Sequence, residues 1–158
     1  NVAKIIKKRH DDENEIIVVV SAMSGTTNDL VKKSQLISSN FDKKELDVLL
    51  SSGEQVSSSL LSAAIIELGI KARSWLNWQI PIITNDKHNS SQIINVQTKE
   101  ILKFISNGGV AVIPGFQGIS SENRTTTLGR GGSDLSAVVI AKFFQSNKTL
   151  DGRHQALV

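Results

Sequence analysis

Cysteine is absent from the 158 residues, which excludes a disulfide framework, a cysteine-based zinc site and a thiol nucleophile. A chain without thiols suits a reducing compartment, and the expected location is the cytoplasm. Tyrosine is also absent and aromatics make up 4%, so there is no stacking platform for single-stranded nucleic acid. No apolar run approaches the roughly 20 residues that span a bilayer. No signal peptide stands at the start, where the first residue is Asn1 rather than Met. The glycine patterns of dinucleotide and Walker phosphate loops are missing. So is the Gly-x-Ser-x-Gly elbow of an esterase. Charge of one sign is scarce as well: 18 Lys+Arg against 15 Asp+Glu leave a net +3. The one basic run, Lys7-Lys8-Arg9, closes a helical stretch and is followed by Asp11, Asp12 and Glu13. Cations are favoured at a helix C-terminus, so this run reads as a solvated helix end. No nucleic-acid partner and no membrane partner are expected.

The 39% of apolar residues is enough for a core, and 21% charge is too little for a disordered chain. Strands and helices alternate. Residues 3–9 end a helix. Residues 16–20 are a β-branched run of the kind found in strands buried on both faces. Helices are expected over 28–37 and 41–50, then a turn at Ser51-Ser52-Gly53, then a helix over 54–68. The last would bury Val56, Leu60, Leu61, Ala64, Ile65 and Leu68, with Gly69 as its C-terminal stop. Strands follow at 71–75 and 80–84, the second at a sheet edge because of Pro81. A helix over 92–106, a buried strand at 110–113, a loop or hairpin at 123–127 and a helix over 135–144 complete the pattern. Such alternation specifies an α/β fold with a mainly parallel sheet covered by helices. Ligands of such sheets bind beyond the carboxyl ends of the strands.

Three segments at such positions carry chemistry. The loop Ser21-Ala22-Met23-Ser24-Gly25-Thr26-Thr27 offers hydroxyls, a glycine and the start of a helix, where exposed amides favour an anion; it would equally serve as a simple cap on Thr27 or Asn28. Glu54, after Gly53, is either a first-turn residue compensating the helix dipole or a carboxylate aimed at a substrate ammonium. The densest glycine cluster is Gly129-Arg130-Gly131-Gly132-Ser133-Asp134. There the backbone is free to wrap a small anion, Arg130 is able to clasp a carboxylate through two hydrogen bonds, and Asp134 is able to take an ammonium or a metal ion. The plainer alternative is a turn in which Ser133 or Asp134 caps the helix. His10, His88 and His154 share no ligand spacing and are expected at the surface, so no metal site is expected. Trp75 and Trp78 are expected to pack.

Taken together, residues 18–30 (Val-Val-Val-Ser-Ala-Met-Ser-Gly-Thr-Thr-Asn-Asp-Leu), residues 52–57 (Ser-Gly-Glu-Gln-Val-Ser), Gly115-Phe116-Gln117-Gly118 and residues 124–134 (Arg-Thr-Thr-Thr-Leu-Gly-Arg-Gly-Gly-Ser-Asp) resemble the aspartate kinases of the amino-acid kinase family in sequence, order and spacing. The resemblance covers roughly residues 3–144. It implies a three-layer αβα sandwich and transfer of the ATP γ-phosphoryl group, with Mg2+, to the side-chain carboxylate of L-aspartate. The product would be 4-phospho-L-aspartate, on the route to lysine, threonine and methionine. Carried over to this sequence, Arg130 would clasp the substrate α-carboxylate. Glu54 and Asp134 would sit near the α-ammonium, and Ser21 and Thr27 would hold the side-chain carboxylate. Phe116 would shape the pocket, with Gly131, Gly132 and Ser133 near the phosphates. A zwitterion with one extra carboxylate needs such a set: one cation, one or two anions and neutral donors.

The chain departs from that family at both ends. Its members start with a strand carrying Lys-Phe-Gly-Gly-Thr-Ser, whose lysine is thought to stabilise the transferring phosphoryl group; this sequence starts in the helix that would follow. Residues 1–145 are therefore expected to form the substrate-binding part, and 146–158 a divergent tail without the nucleotide-binding lobe. No catalytic residue is assigned, and the chain by itself is expected to be inactive. The competing expectations are another amino-acid kinase, acting on glutamate, acetylglutamate or uridylate, and a non-catalytic remnant binding an amino acid or a protein. The expected partners are L-aspartate, ATP and either a further copy of this chain in a homo-oligomer or a complementing chain.

Overall fold

The structure is a computed structural model that describes residues 2–12, 14–129, 131–147 and, as backbone, 154–157. Among the described residues the strands form two four-stranded sheets. In the first, β2 (Ala72–Ser74), β5 (Val110–Pro114), β1 (Glu15–Val20) and β8 (His154–Leu157) lie side by side in that order, all parallel. In the second, the order is β4 (Ile93–Val96), β3 (Ile82–Thr84), β6 (Gln117–Ile119) and β7 (Thr125–Thr127). Only its β3–β6 pairing is parallel.

The parallel sheet has two dry faces. On one, Ile16, Val18, Val110 and Val112 meet Ile6 of α1 (Val2–Asp11) and Ile65 of α3 (Lys43–Ile66), with Ile70. On the other, Ala111 and Ile113, flanked by Ile17 and Val19, meet Ile101 and Ile105 of α4 (Lys99–Ser106) and Ile140 and Phe144 of α5 (Gly132–Asn147). The side-chain alternation of β1 and β5 thus sends alternate residues to opposite helix layers. The result is the expected αβα sandwich, with the mixed sheet as an addition to it. Both faces of β5 are buried along its whole length, as its unbroken apolar run requires.

Local structure departs from expectation at four places. First, the two helices expected around Ser51-Ser52-Gly53 are one helix, α3, and these residues lie in its middle. The hydroxyls of Ser51 and Ser52 donate to the carbonyls of Val48 and Leu49 at 2.9 and 2.7 Å, so their polar atoms are satisfied within the helix. The buried face includes Asp47, Leu50, Ser51, Gly53, Glu54, Ser58, Ser62 and Ile65, while Val56 and Leu60 are exposed. Second, the segment expected to be a helix over 92–106 begins as β4. Its Ile93, Asn95 and Val96 pair with β3, and the helix starts only after Thr98. Third, β3 is an inner strand between β4 and β6 rather than an edge. Pro81 lies just outside it, and its carbonyl accepts from Gln97 N–H at 3.2 Å. Fourth, no side-chain hydrogen bond caps α2 (Thr26–Ile37); Gly25 stands at its N-cap with a φ of 85°. The 123–127 segment does form a hairpin, β6–β7, turning through Asn123 at φ 58°.

Candidate functional site

β1 and β5 are adjacent and parallel, and Gly115 N–H donates to Val20 O at 2.9 Å where they end. The segments that follow them, Ser21–Gly25 and Gly115–Phe116, therefore emerge side by side. Helices α3 and α5 bring two more segments to the same place. The four enclose a cleft of about 340 Å³ lined by Ser21, Ala22, Thr27, Glu54, Phe116, Gly129, Gly131, Gly132, Ser133 and Asp134. Eight of the nine candidates named from the sequence are in this lining. The ninth, Arg130, lies outside the described residues. Of the loop hydroxyls, Ser21 and Thr27 line the cleft; Thr26 instead packs beneath it, against α3 at Gly53.

Each wall is held by a specific contact. A Cβ on Gly53 would come within 2.9 Å of Ala22 Cβ and 3.2 Å of Thr26 Cγ2. The missing side chain thus lets α3 touch the 21–27 loop. One residue on, Glu54 is buried in mid-helix, so it does not compensate the dipole of a first turn. Its Oε1 accepts from Ala22 N–H at 3.2 Å. Its Oε2 is buried and has no hydrogen-bond partner. Burial raises the Glu54 carboxyl above its ordinary value, opposed by the Ala22 hydrogen bond.

The second wall is Phe116, whose backbone is left-handed at φ 67°. This conformation is uncommon for a bulky residue and costs about 1–3 kcal/mol. It is fixed from α5: Phe116 N–H donates to Ser136 Oγ at 2.8 Å, and Ser136 Oγ donates to Gly132 O at 2.7 Å. The Phe116 ring occupies the space a Cβ on Gly132 would need, with Cδ2 at 2.6 Å from that position. Next to it, Gln117 is wholly buried, donates to Ser51 O at 3.1 Å and accepts from Gln55 Nε2 at 3.2 Å. These bonds tie β6 to α3.

The third wall runs from β7 into α5. Ser133 and Asp134 lie in the first turn of α5 rather than before it. Asp134 is exposed and Ser133 half-buried. The start of α5, with Gly131 at φ 70° and open space where its side chain would be, favours an anionic group at the Gly131–Ser133 side. Glu54 and Asp134 favour a cation. Glu54 on α3 and the start of α5 thus face one cleft from different elements.

Sequence reasoning missed the residues that support these walls. His88, expected at the surface, has a side chain only 8% exposed and donates from Nδ1 to Asp47 at 2.6 Å. Asp47 is wholly buried. A charged residue on the polar side of an apolar helix pattern gave no sign of burial. Among the described residues no helix is long and apolar enough to cross a membrane.

Residues 1–151 match the model of the amino acid kinase family. An aspartokinase from Bacillus sp. (strain MGA3) is 42% identical over 148 residues, covering 94% of this chain and 36% of that protein. An aspartokinase from Rickettsia conorii is 44% identical over 150 residues, 93% of this chain and 37% of its own. The crystal structure of aspartate kinase from Synechocystis superposes with a TM-score of 0.75 at 42% identity, over 91% of this chain and 23% of that one. The chain thus spans about a third of the length of these curated relatives.

Proposed function

This chain belongs to the amino acid kinase family, and we propose that its cleft is the L-aspartate site of an aspartate kinase. The observation that carries this reading is the unpartnered, buried Oε2 of Glu54. A buried carboxylate without a partner is costly, and an arriving ammonium offsets that cost. Glu54 and the exposed Asp134 then bracket the α-ammonium. Ser21 and Thr27 offer hydroxyls to the side-chain carboxylate, and the Gly131–Ser133 helix start together with Arg130 takes the α-carboxylate. Phe116 forms one side of the cleft.

The reaction of this reading is transfer of the γ-phosphoryl group of ATP, with Mg2+, to the side-chain carboxylate, giving 4-phospho-L-aspartate. The described lining carries two carboxylates and neither lysine nor arginine. Two carboxylates suit an ammonium, and no step is assigned to these residues beyond binding and orienting the acceptor. Orienting the acceptor is a large part of phosphoryl transfer, which proceeds mainly by positioning and charge neutralisation. Both reactants are water-soluble, which suits a cytoplasmic enzyme.

Calorimetric titration with L-aspartate and with L-glutamate tests the reading. Aspartate is expected to bind at least about fivefold more tightly, since one methylene in a fitted pocket is worth about 1–3 kcal/mol. Equal affinities, or a preference for glutamate, would direct the reading to another amino-acid kinase. Aspartate binding without phosphoryl transfer when ATP and Mg2+ are added would leave this chain as an amino-acid-binding unit.

A further inference from the structure

The third wall of the cleft, unlike the other two, is held by a buried charge that does not touch the cleft. Asp47 lies on α3 two turns before Glu54, and residues seven apart share a helix face. Its carboxylate gathers groups from two separate segments. From the 85–91 loop, His88 Nδ1 donates at 2.6 Å, Asn89 N–H at 3.1 and 3.2 Å, and Asn89 Nδ2 at 2.5 Å. From β7, Thr127 Oγ1 donates to the same carboxylate. Loop and strand are also tied to each other, for Ser91 N–H and Oγ both donate to Thr127 O at 2.9 Å. Asn89 is held at φ 62°, and its carbonyl lies 3.3 Å from where a Cβ on Gly129 would stand. Leu128 N–H then donates to Phe116 O, and Gly129, Gly131 and Gly132 are in the lining.

A carboxylate beside a histidine and a hydroxyl suggests a nucleophile triad, but the geometry rules it out. Thr127 is 1% exposed and donates to Asp47, not to His88, so no reactant reaches its oxygen. The arrangement instead satisfies a buried carboxylate with donors from two segments distant in sequence, a loop and a short strand end. Hydrogen bonds to a buried charge are stronger than neutral ones, and losing them leaves the charge uncompensated.

We infer that Asp47 is a positioning residue: from the buried face of α3 it locks the 85–91 loop against the end of β7 and so fixes where Leu128, Gly129 and the start of α5 stand relative to Glu54. Both walls are then tied to one helix, through Asp47 and Glu54 seven residues apart. Its binding consequence rests on the aspartate reading above; its structural consequence does not.

Amide hydrogen exchange on the full chain, read together with aspartate calorimetry, separates the two. In Asp47→Ala and, should that variant fail to fold, in Thr127→Val, exchange is expected to quicken at least tenfold in peptides covering 85–92 and 125–133. It should stay unchanged in β1, β5 and α4. Aspartate affinity should fall at least tenfold in Asp47→Ala, and Asp47→Asn, which keeps an acceptor for Asn89 and Thr127, should restore most of it. Local loosening with no aspartate binding by the parent chain would uphold the positioning role and sink the aspartate reading. Unchanged exchange at 125–133 in the folded variants, or uniform quickening through the whole chain, would overturn the positioning role.

Discussion

The two halves of α3 obey different rules. Its C-terminal half buries Ile65, supported by Leu61, against Ile6, Ile16, Val18, Val110 and Val112, with the small side chains of Ser58 and Ser62 buried beside them. Its N-terminal half buries Asp47, Ser51, Gly53 and Glu54 beside Leu50, and the first four meet loops and short strands. One half contributes stability by removing hydrocarbon from water. The other spends polar groups on geometry: Asp47 holds the β7 wall, Ser51 and Gln55 hold Gln117, Gly53 admits the 21–27 loop, and Glu54 meets the cleft. The fold is anchored at one end of a helix and the site is aligned from the other.

The largest expected effect is on the apolar half. Ile65→Ala should destabilise the chain by about 2–5 kcal/mol, since its side chain is wholly buried among close-packed neighbours. Urea unfolding would measure it, and aspartate affinity of the folded fraction should stay within twofold. A loss of binding at unchanged stability would break the division between the halves.

Gly53→Val comes next. It forces α3 away from Ala22 and Thr26, which stand at 2.9 and 3.2 Å from the Cβ position. Overpacking of this kind costs about 1–3 kcal/mol, and here aspartate affinity should fall as well, because the displaced loop carries Ser21 and Thr27. Thermal denaturation and calorimetry on one sample would show both effects.

Glu54→Gln sharpens the comparison through pH. The carboxyl is raised by burial in the folded chain. A group raised on folding contributes stability that is fully present below its unfolded value and is lost as pH rises through its folded value. The parent chain should therefore lose stability between about pH 4.5 and the raised value, and Glu54→Gln should remove that decline. At neutral pH the variant without ligand should melt at a higher temperature than the parent. A melting temperature that falls instead would mean that Glu54 Oε2 has a structural partner besides the Ala22 bond at Oε1. The smallest effect belongs to Leu60→Ser. Leu60 is 56% exposed, so the change in stability should stay within about 0.5 kcal/mol.

What was legible in the sequence follows the same division. The layers came from periodicity and β-branched runs, because β1 and β5 are buried by hydrocarbon and hydrocarbon leaves a pattern. The cleft residues came from glycine clusters at strand ends and from the resemblance of three motifs. The single helix α3 was not legible. Ser51-Ser52-Gly53 has the composition of a turn, and only the approach of Ala22 explains why a helix carries a glycine there. Its buried face was misjudged for a related reason: Val56 and Leu60 are apolar but exposed, while Asp47 and Glu54 are charged but buried. Hydropathy assigns such residues to the wrong side, because what buries them is hydrogen-bonding to distant segments. The 92–98 stretch failed through competition: its apolar spacing suits a helix, but pairing with β3 decides it.

The central claim is that Glu54 receives the substrate's ammonium. It is tested most directly by titrating the parent chain and Glu54→Gln with L-aspartate and with succinate, which has both carboxylates and no ammonium. A charge-assisted contact is worth about 1.5–3 kcal/mol, so Glu54→Gln should weaken aspartate about 10- to 150-fold and leave succinate within about threefold. Equal aspartate affinities for parent and variant, or an equal loss for both ligands, would contradict the account.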